Sequence, residues 1–204
     1  MCALILFAGA MASSIGVARA GLAAGLSEDE ARRLSGGELV VRPVAQRKGS
    51  LDLLGGTSYQ IIDAAPEVVW KALLDTPRYR HMMPRVIEAR LVHDATDERT
   101  VFMRQGAEGF IEKDYYLRVK VDRERRDLTF VIDERRPHDL DAAWGFYSVR
   151  AYPEGRTLLT YGVMADIGDG LLVSLLGHSF QKWLLRSPLM VKRFVEGSGA
   201  HLYR

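Results

Sequence analysis

Hydrophobic and polar residues alternate along most of the chain after residue 86, a pattern typical of antiparallel strands with one buried face. In residues 110–121, for example, Tyr115, Leu117 and Val119 share one face, while Tyr116 and Arg118 lie on the other. The strands predicted in this way are 86–93, 99–105, 110–121, 128–132, 141–152 and 156–167. Residues 153–155, "PEG", separate the last two and predict a tight hairpin.

Two other regions follow the 3.6-residue period of a helix. The first begins at Pro66, which suits the first turn of a helix, and ends near Asp75 because Pro77 follows. A second short turn or helix is predicted for residues 79–84. The other region is C-terminal: residues 172–184 carry an apolar stripe at i, i+3 and i+4 spacing, and the following "SP" either caps a shorter second segment or kinks the first.

The N-terminal part has weaker signals. Residues 26–34, "LSEDEARRL", predict a short exposed helix with a capping box between Ser27 and Glu30. Short strands are predicted for 38–43 and 59–63, and residues 45–56 between them are expected to be irregular.

Residues 1–20 predict a signal peptide. An apolar run, residues 3–17, is followed by the small-x-small sequence "ARA", so cleavage is expected after Ala20 and the mature protein is expected to be periplasmic or secreted. No lysine or arginine precedes the run. The alternative is a cytoplasmic protein whose apolar N-terminal helix packs on the domain or on a membrane. The remaining predicted units are an extension (21–56), one folded domain (57–197) and a tail (198–204).

Composition and motifs restrict the chemistry. The formal net charge is +2 over 204 residues, and bases alternate with acids, as in "DRERRD" at 122–127, so no nucleic-acid partner is expected. Cys2 is the single cysteine, which excludes an internal disulfide and a cysteine-based zinc site. The five histidines are scattered. No nucleophile elbow, phosphate-binding glycine loop or HExxH sequence occurs, so we assign no catalytic residue, no metal site and no cofactor.

Residues 61–86, "IIDAAPEVVWKALLDTPRYRHMMPRV", resemble the opening of the START-like (SRPBCC) superfamily, in particular its polyketide cyclase/dehydrase and coenzyme Q-binding START-like branch. The resemblance extends over about residues 37–196. It implies an α+β helix-grip fold, in which a curved antiparallel sheet of about six to seven strands wraps on a long C-terminal helix. Two short helices are expected after the first core strand. The superfamily contains binders, transporters and some enzymes, so it does not determine the function.

In that fold a pocket lies between the sheet and the last helix. We therefore predict binding or carriage of an apolar small molecule such as a lipid, isoprenoid or polyketide. The large residues patterned for burial are the candidates for ligand contact: Met83, Phe102, Tyr115, Leu117, Phe130, Trp144, Phe146, Leu176, Phe180 and Trp183. Two alternatives remain, an aromatase/cyclase-type enzyme and an interaction module whose core is filled. Transient membrane contact stays open, and the sequence does not determine the oligomeric state.

The role predicted for a few charged residues depends on which strand face is buried. Glu112 and Asp114 share a face with Tyr116; they are solvated if that face is outer, and could act as a general acid or base if it lines the pocket. Arg104 and Arg150 have the same ambiguity, and an arginine inside the pocket would suit a ligand carboxylate or phosphate.

Overall fold

One antiparallel sheet of eight strands dominates the computed structural model, which describes residues 25–106, 112–168 and 179–203. The strands are β1 (Val40–Lys48), β2 (Leu51–Ile62), β3 (Val86–Asp94), β4 (Glu98–Gly106), β5 (Glu112–Asp122), β6 (Asp127–Ile132), β7 (Ala142–Tyr152) and β8 (Arg156–Asp166). Their spatial order is β1-β2-β8-β7-β6-β5-β4-β3, and every neighbouring pair is antiparallel.

The register assigns each side chain to one of two faces. Val101 pairs with Leu117 and Met103 with Tyr115, so these four residues share the face that we call the inner face. Their sequence neighbours lie on the opposite, outer face. The predicted alternation after residue 86 is therefore confirmed, and it separates two chemically different surfaces.

Short helices cover the inner face. They are α2 (Pro66–Leu74), a 3-10 turn (Thr76–Arg78), α3 (Tyr79–Met82) and α4 (Ser187–Glu196). Residues 179–184 are also helical, and a turn at 185–186 separates them from α4, where Ser187 and Pro188 begin. Helix α2 begins at Pro66 with Ala65 as its N-cap. Its Trp70 side chain is only 6% exposed and packs in the main core. The two short helices expected after the first core strand are confirmed.

A smaller core lies on the outer face under α1 (Glu28–Ser35). This helix has the predicted capping box, in which the Ser27 hydroxyl accepts from the Glu30 amide and the Glu30 carboxylate accepts from the Ser27 amide. Leu34 packs there against Val40, Ile61 and neighbouring residues. The helix thus attaches the N-terminal part of the chain to the back of the sheet.

The expectation of an irregular segment at residues 45–56 is wrong. These residues form most of the hairpin β1–β2, with Gly49 and Ser50 at the turn, so they lengthen the two short strands predicted at 38–43 and 59–63. The sheet has eight strands, slightly more than the six to seven that the resemblance implies. The signal was weak because β1 is an edge strand whose side chains are mostly exposed, so little apolar alternation is needed. The boundary predicted at residue 57 falls inside β2. The predicted leader, residues 1–20, lies outside the described residues.

In the described part of the chain, no helix is long and apolar enough to cross a membrane.

Candidate functional site

A cavity of about 470 Å³ lies between the inner face of the sheet and the helices that cover it. Strands β4 to β8 supply one wall, and α3, the helical residues 179–184 and the start of α4 supply the other. This volume is within the range of small-molecule sites in proteins. The interior of the fold therefore leaves room for a ligand.

Most of the cavity wall is apolar, and the apolar side chains come from every strand between β4 and β8. The apolar residues on the sheet side are Val101, Met103, Leu117, Val119, Leu128, Phe130, Ala143, Val163 and Ala165. On the helical side, the Phe180 and Trp183 rings meet edge to face, with their centroids 4.8 Å apart. Such a wall favours ligands that bury hydrocarbon.

Phe130 lies flat against β7 because the facing residue is Gly145. A Cβ atom at Gly145 would come within 2.5 Å of the Phe130 ring and within 2.2 Å of the backbone oxygen of Gly162. Real side chains do not approach so closely, so glycine at this position leaves space for the ring. The Phe130 ring centroid in turn lies 6.2 Å from that of Tyr147 and 6.3 Å from that of Tyr161.

Two buried tyrosines form the polar centre of the wall. The Tyr147 and Tyr161 rings stack with their centroids 4.5 Å apart. The Tyr147 hydroxyl lies 2.6 Å from the Ser187 hydroxyl, where either can donate, and 3.4 Å from the Met83 sulfur. Sheet and α4 are thus joined by a hydrogen bond within the cavity wall.

A second polar group lies where β3 begins and β4 ends. The Tyr115 hydroxyl donates to the side-chain oxygen of Gln105, whose amide nitrogen donates to the Pro84 carbonyl at 2.6 Å. This chain of hydrogen bonds links β5, β4 and the segment that follows α3. It fixes the orientation of three of the lining residues.

The lining tyrosines stay protonated at neutral pH. Burial raises the pKa of Tyr115, Tyr147 and Tyr161 well above the ordinary value of 10.0. Burial also raises the pKa of Tyr79 to about 12, and its hydroxyl donates to the Leu73 carbonyl at 2.7 Å. Neutral phenols can donate a hydrogen bond to a ligand oxygen. They do not serve as general bases here, because burial disfavours the phenolate, which is the basic form.

The structure brings together six of the ten predicted contact residues in this wall: Met83, Tyr115, Leu117, Phe130, Phe180 and Trp183. Their contact with a ligand stays a prediction. Leu176 lies outside the described residues.

Phe102, Trp144 and Phe146 lie on the outer face instead, so a place for them in the cavity is corrected. Phe102 pairs with Tyr116 across β4 and β5, and Phe146 is 37% exposed. The reason is the phase of the alternation. Large aromatic residues occur on both faces, so the alternation alone does not identify the inner face of β4 or β7.

The sequence reasoning missed Tyr147, Tyr161 and Ser187. A signal for Tyr147 existed: it alternates with Phe146, so choosing the other face of β7 would have selected it. Tyr161 follows from Tyr147 through the strand pairing, which the sequence does not reveal. For Ser187 the local sequence indicates only a helix cap or a kink.

The charged candidates lie on the outer face. Arg104 forms a two-bond ion pair with Asp114, at 2.8 and 2.6 Å, and Arg150 pairs with Asp127 at 2.8 Å. The hydrogen bonds from Arg104 hold the pKa of Asp114 below its ordinary value. These residues therefore belong to the solvated alternative. Within residues 25–106, 112–168 and 179–203, no group of three or more histidine, cysteine or acidic residues could hold a metal ion.

Solved structures with the same fold come from several bacteria. TTHA0849 from Thermus thermophilus superposes with a TM-score of 0.61 at 16% identity, covering 72% of this chain and 98% of that one. The Zhui aromatase/cyclase from Streptomyces sp. R1128 gives 0.56 at 14%, covering 72% and 98%. A STAR-related lipid transfer protein from Xanthomonas axonopodis gives 0.53 at 13%, covering 80% and 99%. These likenesses establish the START-like helix-grip fold.

No curated protein matches the chain in sequence. Residues 62–190, which include α2, α3 and all strands from β3 to β8, match a family described as "Polyketide cyclase / dehydrase and lipid transport". That match covers more than half of the 204 residues. The chain therefore belongs to the polyketide cyclase / dehydrase and lipid transport family.

Proposed function

We propose that the protein binds and carries a hydrophobic small molecule in the cavity between the sheet and the C-terminal helices. The observation that carries the proposal is the size and chemistry of that cavity, about 470 Å³ with a mostly apolar wall. Each methylene group that moves from water into such a wall contributes about 0.8 kcal/mol. A ligand of about ten carbons would thus gain enough to offset the entropy lost on binding.

The tyrosine pair gives this ligand an orientation. Tyr147 and Tyr161 are the polar residues of the β7–β8 wall, and both keep their protons at neutral pH. A ligand oxygen that reaches them would accept a hydrogen bond in a region that is otherwise apolar. A ligand oxygen that is buried in an apolar wall costs free energy unless it is hydrogen-bonded, so we expect an oxygen atom of the ligand to lie at this tyrosine pair.

The test is uptake and release of a neutral ligand. Nile red, an uncharged dye whose fluorescence rises in apolar surroundings, should bind the purified protein with one site per chain. Native mass spectrometry of the protein from its own host, followed by denaturing release, should give a defined apolar molecule. A protein that arrives empty and leaves the dye fluorescence unchanged would contradict the carrier function.

An aromatase/cyclase activity is the second candidate, and the tyrosine pair favours it too. Neutral phenols at the Tyr147 and Tyr161 positions could hold two carbonyl oxygens of a reactive chain and so fix its folded shape. Under this alternative, Tyr147→Phe would change the distribution of cyclised products. Under the carrier function, the same variant changes ligand affinity only and no new product forms.

A further inference from the structure

The cavity has a charged end. Arg85 precedes β3, Gly106 ends β4 and Lys113 lies at the start of β5, and all three line the cavity. The antiparallel register places them at one edge of the sheet, and the Gly106 amide donates to the Arg85 carbonyl at 2.9 Å. Arg85 is also exposed, whereas Tyr147 in the middle of β7 is buried. Because Arg85 both lines the cavity and is exposed, the cavity reaches solvent at this end, which we call the open end.

Arg85 has no carboxylate to neutralise it in the part of the chain that the structure describes. Its guanidinium carbon lies 5.6 Å from the centre of the Trp183 ring, itself part of the cavity wall. The arginines of the outer face differ, since Arg90 pairs with Glu88 and Arg104 with Asp114. A guanidinium over an indole keeps its N–H donors available for an anion.

The backbone at Arg85 is also unusual. Its φ of 53° lies in the left-handed region, which costs free energy for any residue other than glycine. Arg126 and Glu154 share this feature, but both lie in exposed turns that join neighbouring strands. Arg85 adopts it at the edge of a cavity, where it brings a long cationic side chain beside Trp183.

Building on the proposed function, we propose that the ligand is an anionic amphiphile, whose hydrocarbon body fills the cavity and whose carboxylate or phosphate head binds Arg85 at the open end. The guanidinium provides paired donors that match either head group. The Trp183 face orients the guanidinium at this end of the cavity. The head stays in contact with water, so its charge does not need to be buried.

The experiment compares three head groups on the same twelve-carbon tail. Dodecanoate, dodecyl phosphate and uncharged dodecanol are titrated into the full chain by displacement of Nile red. The variant Arg85→Gln should weaken binding of at least one anionic ligand by about threefold to tenfold, and its affinity for dodecanol should stay within about twofold of that of the unaltered protein. Arg85→Lys keeps the charge and should retain most of the preference. The preference in the unaltered protein should also decrease as salt is added.

Arg90→Gln is the matched control, because Arg90 also lies over an aromatic ring, that of Phe102, but on the outer face. It should change none of the three affinities. Equal effects of Arg85→Gln on all three ligands, or no effect on either anion, would contradict the proposal that an anionic head group binds Arg85. If acetate displaced the dye as strongly as dodecanoate, the hydrocarbon tail would contribute nothing, and the proposal of an amphiphilic ligand would be contradicted. Failure of Nile red itself to bind would instead contradict the proposed function, so the two failures are distinguishable.

Discussion

The inner and outer faces of β4 and β5 are made by alternate residues of the same two strands, yet they differ in chemistry. The inner face presents Met103 and Tyr115 to a cavity. The outer face presents Arg104 and Asp114 as an ion pair whose side chains are each about two-fifths exposed, at 39% and 38%. Aromatic rings occur on both faces. What distinguishes the two faces is therefore the pairing of charges and not the size of the residues.

The outer face uses its aromatic residues as supports for cations. The Arg90 guanidinium lies 4.4 Å from the centre of the Phe102 ring, and the Arg136 guanidinium lies 5.1 Å from that of Tyr116. The two rings themselves are 5.2 Å apart. Here the arginines cover apolar surface with their charged heads in water. On the inner face, the same kind of ring borders space that a ligand can fill.

The largest expected effect comes from filling that space. Ala143 lines the cavity on β7, and Ala143→Trp would place an indole between the sheet and the helices. Affinity for Nile red or for the natural ligand should fall about a hundredfold, or about 2.7 kcal/mol. Val131→Trp is the control, since Val131 is 38% exposed on the outer face of β6, and its affinity should stay within about twofold. Equal losses in both variants would remove the distinction between the faces.

Features of the fold and the site that depend on local sequence patterns could be predicted, whereas those that depend on contacts between distant segments could not. The helix that begins at Pro66 and the strands after residue 86 follow from local patterns, which depend on neighbours a few residues apart. Phe102 and Phe146 were misplaced because alternation defines two faces without identifying the inner one. Tyr161 and Ser187 reach the site through pairing between distant segments, which a single sequence does not encode locally. The place of the cavity follows from the resemblance to the START-like superfamily, whereas an open rather than a filled interior depends on packing, which the sequence does not determine.

A smaller effect is expected from two glycines that allow a phenylalanine to lie flat, one on each face. Gly145→Ala would press a Cβ atom to 2.2 Å from the Gly162 backbone oxygen, which cannot move without distorting β8. We expect a loss of about 2 kcal/mol in the free energy of unfolding, measured in urea. For Gly162→Ala the three atoms nearest to the new Cβ all belong to the Phe146 ring, the closest at 2.3 Å, and this ring is 37% exposed, so we expect it to move aside more easily than backbone.

The Gly162→Ala variant should therefore lose less than half as much stability as Gly145→Ala. The comparison fails if the outer-face variant is the less stable of the two. Nile red binding adds a second readout, because Gly145→Ala also pushes Phe130 toward the cavity and should weaken uptake, whereas Gly162→Ala should not.

The smallest effect belongs to the ion pair of the outer face and concerns pH. Arg104 lowers the pKa of Asp114 below 3.8, so this carboxylate stabilises the folded state at any pH above that value, and the contribution disappears as the pH falls through the lowered pKa. Asp114→Asn should lower the Tm by less than about 3 °C at pH 7, because the pair is solvated. The difference in Tm from the unaltered protein should stay constant down to about pH 5 and shrink below 3.8.

Asp97→Asn, in the exposed turn between β3 and β4, is the control and should leave the Tm unchanged. Uptake of Nile red by Asp114→Asn should equal that of the unaltered protein from about pH 5 to about pH 8, because the tyrosines of the cavity stay neutral throughout that range. A difference in uptake between Asp114→Asn and the unaltered protein in this range would mean that the outer face acts on the cavity through the strand that both faces share. The two faces would then have to be treated as one coupled unit, since a charge on one side would alter the space on the other.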